Sequence, residues 1–158
     1  MKQTIKKIFN EKVVKIPKWF IVVGIILALL GFADASYLSY EHLTQGDVSC
    51  PINGVGCDKV LTSQYSEMFG IPTALFGSIY YLTVFILLIL LKTKKQGKHL
   101  VLIAGATTVG FLFSLYMVYL QLFVLHAICP YCMGSAGSST VLFLMGFWIL
   151  IKFDRKKI

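Results

Sequence analysis

Three stretches of this sequence contain no charged side chain and are each longer than twenty residues, which leaves few folds open. They cover residues 71–91, 100–125 and 127–151. An α-helix needs about 20 apolar residues to cross the hydrocarbon core of a bilayer, so each stretch is long enough to span a membrane. The whole chain is 57% hydrophobic and only 14% charged, which is typical of membrane proteins and excludes an ordinary soluble domain.

A fourth span is expected near the N-terminus. The apolar run that follows Trp19 is shorter, but it continues into aromatic and small polar residues that suit a membrane interface. A basic leader followed by an apolar core and Ala33-Asp34-Ala35 is also compatible with a signal peptide and its cleavage site. The sequence predicts an all-α membrane protein, a four-transmembrane-helix bundle in one integral-membrane domain over residues 1–158, with spans at about 17–40, 71–91, 100–125 and 129–151.

The distribution of basic residues predicts the orientation of these spans. Of 15 Lys and Arg residues, all but Lys59 lie before the first span, between the second and third, or after the fourth. Because basic loops stay in the cytoplasm, both termini and the middle loop are expected there, in a multi-pass protein of the cell membrane. Residues 41–70 and the turn at His126 then face outward. This topology and contact with anionic lipid account for the net charge of +8, so no nucleic-acid partner is implied.

All four cysteines fall on the predicted outward side, where oxidising conditions allow disulfides. Cys129 and Cys132 belong to a CPYC sequence that opens the last span. Pro130 suits the first position of a helix, Cys129 would cap that helix, and Cys132 would lie one turn deeper on the same face. The helix dipole favours a thiolate at Cys129 and apolar surroundings disfavour one at Cys132, so we expect Cys129 to face water and Cys132 to face lipid. A dithiol at this boundary suits electron transfer to a lipid-soluble quinone.

The other two cysteines, Cys50 and Cys57, bracket the turn-rich segment Pro-Ile-Asn-Gly-Val-Gly. Its glycines let the ends approach while keeping the loop adaptable, which suits a pair that alternately meets a soluble partner and Cys129. After Cys57, Asp58 is a potential helix cap, and apolar residues recur near helical spacing as far as Met68. We therefore predict a short amphipathic helix on the outer membrane face, within the first outward loop.

Simpler interpretations of the same residues remain open. The loop pair is also compatible with a structural disulfide, and the CPYC pair with two buried thiols packed as small hydrophobic groups. A zinc site is disfavoured because structural zinc sites usually pair two short Cys spacings, so no metal is expected. Asp34 is either solvated or a proton-handling group, and His126 either accepts a proton during thiol exchange or is a bystander in its turn.

The start of the last span is rich in small residues. Residues 134–139 have the sequence Gly-Ser-Ala-Gly-Ser-Ser, which is typical of close helix packing, although small side chains such as Ala136 also leave room for a ligand. Aromatic residues on the neighbouring spans are compatible both with core packing and with the walls of a quinone site. The candidate walls are Phe76, Tyr80, Tyr116 and Tyr119.

Several motifs together resemble the bacterial homologues of vitamin K epoxide reductase (VKOR). They are GFADASYLSY at the end of the first span, CDKVLTSQYS followed by FGIP and LFG, and CPYC at the start of the last span. The resemblance covers roughly residues 31–137. It implies a membrane thiol oxidase that supports disulfide formation outside the cytoplasm. A separate thioredoxin-like or DsbA-like protein is reoxidised by the loop pair, electrons pass to the CxxC, and a membrane quinone, menaquinone or ubiquinone, is reduced.

The resemblance also implies roles for individual residues. By position, Cys132 corresponds to the cysteine that meets the quinone, and Cys129 to the one that exchanges with the loop. Cys50 and Cys57 correspond to the shuttle pair. Ser63 is similar to a loop Ser or Thr that lies near the active cysteines.

Two positions depart from the vertebrate members of the family. Thr73 replaces an asparagine and Ala136 replaces a tyrosine, both of which help to bind vitamin K, so epoxide reduction is not expected as the native activity. Two other functions remain as alternatives. One is a structural or transport-type tetraspan protein whose disulfides brace its outer face. The other is the DsbB family, whose CxxC lies in the first outward loop rather than at the last span.

Overall fold

The computed structural model describes residues 16–44, 55–68, 70–94 and 96–155. Its helices and strands are, in chain order, α1 (Lys18–Thr44), α2 (Val55–Leu61), β1 (Glu67–Met68), β2 (Ile71–Pro72), α3 (Thr73–Lys94), α4 (Gly97–Tyr119), a π-helical turn (Leu120–Val124) and α5 (Pro130–Arg155). Four stretches are long and apolar enough to cross a membrane: α1, α3, α4 with its π-helical turn, and α5. The predicted all-α bundle of four transmembrane helices is confirmed.

The ends of these helices follow from residues with special backbone properties. α3 starts directly after Pro72, and α5 starts at Pro130, whose missing N–H has no partner in the first helical turn. Lys92 and Lys94 lie in the last turn of α3, where the helix dipole favours positive charge. α1 continues to Thr44, beyond the apolar run that marks it in the sequence, because nothing between the run and Thr44 breaks a helix.

The four long helices pack as two pairs that share one core. α1 lies along α3, and α4 lies along α5. Side chains from all four helices contribute to the core, among them Ala28, Val84, Leu100 and Leu142. α1 and α3 approach closely because Gly31 faces the ring of Tyr81, and a Cβ atom at Gly31 would overlap that ring. Lipid is as apolar as a neighbouring helix, so the hydrophobic effect does not hold membrane helices together. Small residues such as Gly31 let the helices approach closely and gain van der Waals contacts instead.

The segment between α1 and α3 differs from the amphipathic helix predicted for it. The helix α2 begins at Val55, before Cys57, and ends at Leu61, so the expected continuation to Met68 is wrong. The Ser63 hydroxyl donates to the Val60 carbonyl at 2.8 Å, and the Ser66 hydroxyl donates to the Ser63 carbonyl at 2.7 Å. Serine side chains that bond the backbone in this way offer the chain an alternative to a continuing helix.

A short antiparallel ladder follows the turn and connects this segment to the bundle. β1 pairs with β2, and Gly70 between them has φ 75°, a backbone conformation that glycine adopts without strain. The His42 ring at the end of α1 lies 3.0 Å from the Glu67 carboxylate. Thr73 at the start of α3 donates its N–H to the Ser66 carbonyl at 2.8 Å. These contacts hold the segment over one end of the helix bundle.

The lysines of the long helices and the described cysteines lie at opposite ends of the bundle. Cys57 packs with Cys129 next to Leu38, late in α1, and this defines the cysteine end. The described lysines of the four long helices lie at the other end, where α1 begins, where α3 and α4 meet, and where α5 ends: Lys18, Lys92, Lys94, Lys98 and Lys152. Lys59, in the last turn of α2, lies at the cysteine end. Which end faces the cytoplasm remains a prediction from the positive-inside rule.

Candidate redox site

The cysteine of the loop and the cysteines of the CPYC sequence are brought together at the cysteine end of the bundle. Cys57 and Cys129 are fully buried, with 0% of each residue exposed. They form one cluster with Leu38, and the partly buried Cys132 packs against it. The arrangement therefore brings a cysteine from the segment after α1 into one buried cluster with the cysteine that precedes α5. Cys50, which was predicted to share the shuttle role, lies outside the described residues.

The described cysteines differ in their redox state. Cys57 is disulfide-bonded, whereas Cys129 and Cys132 are free thiols. A disulfide-bonded cysteine and a dithiol in a single buried cluster are the two reactants of thiol–disulfide exchange, which proceeds by attack of a thiolate on a disulfide sulfur. The cluster thus contains what an exchange reaction requires.

Cys129 caps the start of α5, as the sequence predicts. It directly precedes Pro130, and the backbone N–H groups of Tyr131 and Cys132 point toward its sulfur. A hydrogen bond from the Cys132 thiol lowers the pKa of Cys129 to about 7, assisted by these N–H groups and opposed by burial. Because a thiol attacks disulfides best when its pKa is close to the ambient pH, Cys129 is suited to exchange.

The prediction that Cys129 faces water is wrong. Cys129 was expected to face water, but α2 and α1 cover it through Cys57 and Leu38. Cys132 is the more exposed of the two, and it borders a cavity inside the bundle. The reason is that α2 folds over the N-terminal end of α5. The helix dipole argument considers α5 alone and does not include this tertiary contact.

This cavity has a volume of about 480 Å³ and lies between the long helices, beneath the segment that carries the ladder. Its lining is predominantly apolar. Ser63, Phe76, Tyr80 and Ala136 line it, together with Cys132. Four of the predicted supporting and quinone-contacting residues therefore meet at one cavity beside a CPYC thiol.

Tyr116 and Tyr119 are not among the residues that line this cavity. Their side chains are about half exposed, at 49% and 55%, on the outer surface of α4. His126 is likewise exposed and does not line the cavity. It has φ 48°, a left-handed conformation that lets the chain turn between the π-helical turn and α5.

The cavity wall also carries several polar groups. The Tyr81 hydroxyl donates to the Ser135 carbonyl at 2.6 Å, and the hydroxyls of Tyr80 and Ser139 lie 3.3 Å apart. Asp34 lines the cavity too. Its Oδ2 atom is buried and has no hydrogen-bond partner within the described part of the chain, although the residue as a whole is only partly buried.

A buried glutamine near the thiols was not singled out from the sequence. Gln121 lies in the π-helical turn and is 3% exposed, and its side-chain oxygen accepts the N–H of Cys129 at 3.1 Å. The signal that marks it is its position within a long charge-free span. An amide in a membrane span is costly to bury, so it usually has a specific partner.

Comparison with known proteins agrees with this geometry. The model of the vitamin K epoxide reductase family matches residues 22–147, a range that includes all four cysteines and most of the chain. The chain belongs to the vitamin K epoxide reductase family. The resemblance that the motifs indicated is thereby confirmed.

A named relative of this VKOR-family chain is the thiol-disulfide oxidoreductase LTO1 of Arabidopsis thaliana. The two are 33% identical over 121 residues, which cover 71% of this chain and 32% of the plant protein. The chain thus spans about a third of the length of that relative.

Proposed function

We propose that this VKOR-family protein is a membrane thiol:quinone oxidoreductase. It oxidises the dithiol of a separate thioredoxin-fold, DsbA-like protein through Cys50 and Cys57, and it passes the electrons through Cys129 and Cys132 to a membrane quinone. The observation that carries the proposal is the burial of disulfide-bonded Cys57 and the Cys129 thiol in one cluster. The oxidoreductase name of the plant relative supports the same class of reaction.

The proposed steps balance in electrons and protons. The partner dithiol reduces the loop disulfide, and the resulting loop dithiol reduces a disulfide between Cys129 and Cys132. The CxxC dithiol then gives two electrons and two protons to the quinone, which reforms the CxxC disulfide. A disulfide at Cys57 beside free thiols at Cys129 and Cys132 is compatible with this sequence of steps.

Cys129 and Cys132 have different tasks in this scheme. Cys129 exchanges with the loop, because it lies against Cys57 and its pKa is lowered to about 7. Cys132 is the thiol next to the quinone, because it borders the cavity. Which loop cysteine meets the partner protein is left open.

The cavity fits the head group of a quinone in size and chemistry. Its volume of about 480 Å³ lies within the usual range for small-molecule sites, which are mostly apolar with a few placed polar groups. Phe76, Tyr80 and Ala136 would flank the ring, and Ser63 would lie near the thiols. The quinone, menaquinone or ubiquinone, would supply the two-electron acceptor. Tyr116 and Tyr119 are not part of this proposed site, because they lie on the outer surface.

The proposal also includes an orientation. The cysteine end faces outward and both termini face the cytoplasm, as the positive-inside rule predicts. The partner protein is then extracytoplasmic, where disulfides persist.

The test uses the purified protein reconstituted into membranes and measures the quinone-dependent oxidation of a reduced thioredoxin-fold protein. The wild type should reduce the quinone, and Cys132→Ala or Cys57→Ala should abolish the reaction. Thr83→Val is a suitable control, since Thr83 is an exposed α3 residue whose hydroxyl, among the described residues, bonds only the Ile79 carbonyl, at 2.7 Å. Activity that survives Cys132→Ala would refute the proposed electron exit. A wild type without quinone reduction would favour disulfides that merely brace the outer face.

A further inference from the structure

Gln121 makes contacts to both cysteines of the CxxC. Its side-chain oxygen accepts the Cys129 N–H at 3.1 Å, and Gln121 and Cys132 line the same cavity, which places the side-chain amide beside the Cys132 sulfur. Its backbone carbonyl accepts the N–H of Ala127 at 3.0 Å, which fixes the turn that leads into α5. One buried residue thus connects α4 to the turn and to both thiols.

The hydrogen bonds determine which way the Gln121 amide points. The backbone N–H of Cys129 is only a donor, so the atom that faces it must be the side-chain oxygen. The –NH₂ group is then directed at Cys132, and it is a donor only. A sulfur that receives a hydrogen bond is better able to carry negative charge, because hydrogen bonds to the charged form of a group favour that form.

The backbone around Gln121 supports this placement. Leu125 donates its N–H to the Leu120 carbonyl at 2.8 Å, five residues back, which is the spacing of a π-helix. The wider turn interrupts α4 where it passes the cysteines, and such π-helical turns occur frequently at functional sites. Gln121 also lines the cavity next to Cys132, so its amide lies where the CxxC meets the proposed quinone.

The two thiols need negative charge at different stages of the proposed reaction. Cys129 needs it for exchange with the loop, and there Cys132 is the hydrogen-bond donor. When the dithiol is oxidised by the quinone, the charge must be carried by Cys132, which then requires another donor. On the basis of the proposed function, we infer that Gln121 is a positioning residue that orients both CxxC sulfurs and, through its –NH₂ group, stabilises a thiolate at Cys132.

Two substitutions separate the two contacts of Gln121. Gln121→Glu keeps an oxygen for the Cys129 N–H but replaces the donor at Cys132 by a second acceptor, whereas Gln121→Met removes both contacts at similar size. Thr107→Val is the control, because Thr107 is a fully buried α4 residue whose hydroxyl, within the described ranges of the chain, donates only to α4 carbonyls, those of Ile103 and Ala104.

The decisive readout is the pH profile of Cys132 alkylation, measured with the other three cysteines replaced by alanine and without any quinone. One hydrogen bond to a charged group corresponds to about a tenfold change in the thiolate equilibrium. Gln121→Glu and Gln121→Met should therefore each slow alkylation at neutral pH by about tenfold or more and move the profile to higher pH. Thr107→Val should leave the profile unchanged.

In the otherwise native chain, Gln121→Glu should slow the quinone step more than it slows exchange between the loop and Cys129. Gln121→Met should slow both. Thermal unfolding measured alongside shows whether each variant is folded. An alkylation profile for Gln121→Glu that coincides with that of the reference chain would overturn the inference. Failure of the proposed function would show differently, as a wild type that reduces no quinone while the alkylation profile still shifts.

Discussion

The lowered pKa of Cys129 leads to a quantitative prediction about its neighbour Cys132. The largest cause of the shift is the hydrogen bond from the Cys132 thiol, and the ordinary value of 9.0 falls to about 7. A thiol with a pKa near 7 is about half ionised at pH 7, whereas one at 9.0 is about 1% ionised. Removal of the donor by Cys132→Ala should therefore slow the reaction of Cys129 with an alkylating reagent at pH 7 by up to ~50-fold.

Cys132→Ser is the matched variant, because a hydroxyl occupies nearly the same volume and still donates a hydrogen bond. The assay follows alkylation of Cys129 from pH 5 to 10 with Cys50 and Cys57 replaced by alanine, so that Cys129 is the reactive thiol. Each rate is normalised to its plateau at high pH, which removes differences in access to the buried sulfur.

The serine variant should have a midpoint near pH 7, and the alanine variant should move toward 9. The sign follows from the titration: the rate rises as the pH increases through the pKa, and loss of the donor moves that rise to higher pH. A midpoint near pH 7 in both variants would refute the claim that Cys132 activates Cys129. A midpoint near 9 for both would show that the hydroxyl cannot replace the thiol as a donor.

Two further predictions concern α1. Gly31→Ala should displace the Tyr81 ring, which a Cβ atom would overlap, and should lower the free energy of reversible unfolding by about 1–3 kcal/mol. Gly105→Ala is the control, because a Cβ atom there would meet open space, and it should leave the stability unchanged. Equal effects of the two substitutions would contradict the close packing of α1 against α3. Asp34→Asn removes a carboxylate whose Oδ2 atom lacks a partner among the described residues, so stability should not fall. If Asp34 handles the protons of quinone reduction, that step should slow by about 100-fold while exchange with the loop continues; an unchanged quinone step would show that it does not.

The membrane fold could be predicted from the sequence because its signals are local. A charge-free stretch such as residues 100–125 needs no tertiary information to be identified as a span. Pro130 marks the start of α5, since its ring is tolerated only in the first turn of a helix. The meeting of the loop with the CxxC followed from topology, because both segments lie at the same end of the bundle.

The details of the site depended on tertiary contacts that no local pattern encodes. In a membrane helix every face is apolar, so the sequence of α4 does not mark an inner side, and Tyr116 and Tyr119 could not be distinguished from cavity residues. The burial of Cys129 requires α2 to fold over α5. Gln121 was overlooked because it is uncharged, and because a π-helical turn has no sequence pattern comparable to that of a cap or a proline.

The most direct test of the account is to trap the bond that should form between the loop and the CxxC. In a Cys132→Ser variant, Cys129 has no partner within the CxxC to displace an exchanged bond, so a disulfide between Cys129 and a loop cysteine should accumulate. Proteolysis without reduction followed by mass spectrometry identifies the linked peptides, and Cys129→Ser is the control that should give none. The account predicts peptides in which Cys129 is joined to Cys57 or Cys50. A Cys129 that remains a free thiol while the loop pair stays joined would contradict it.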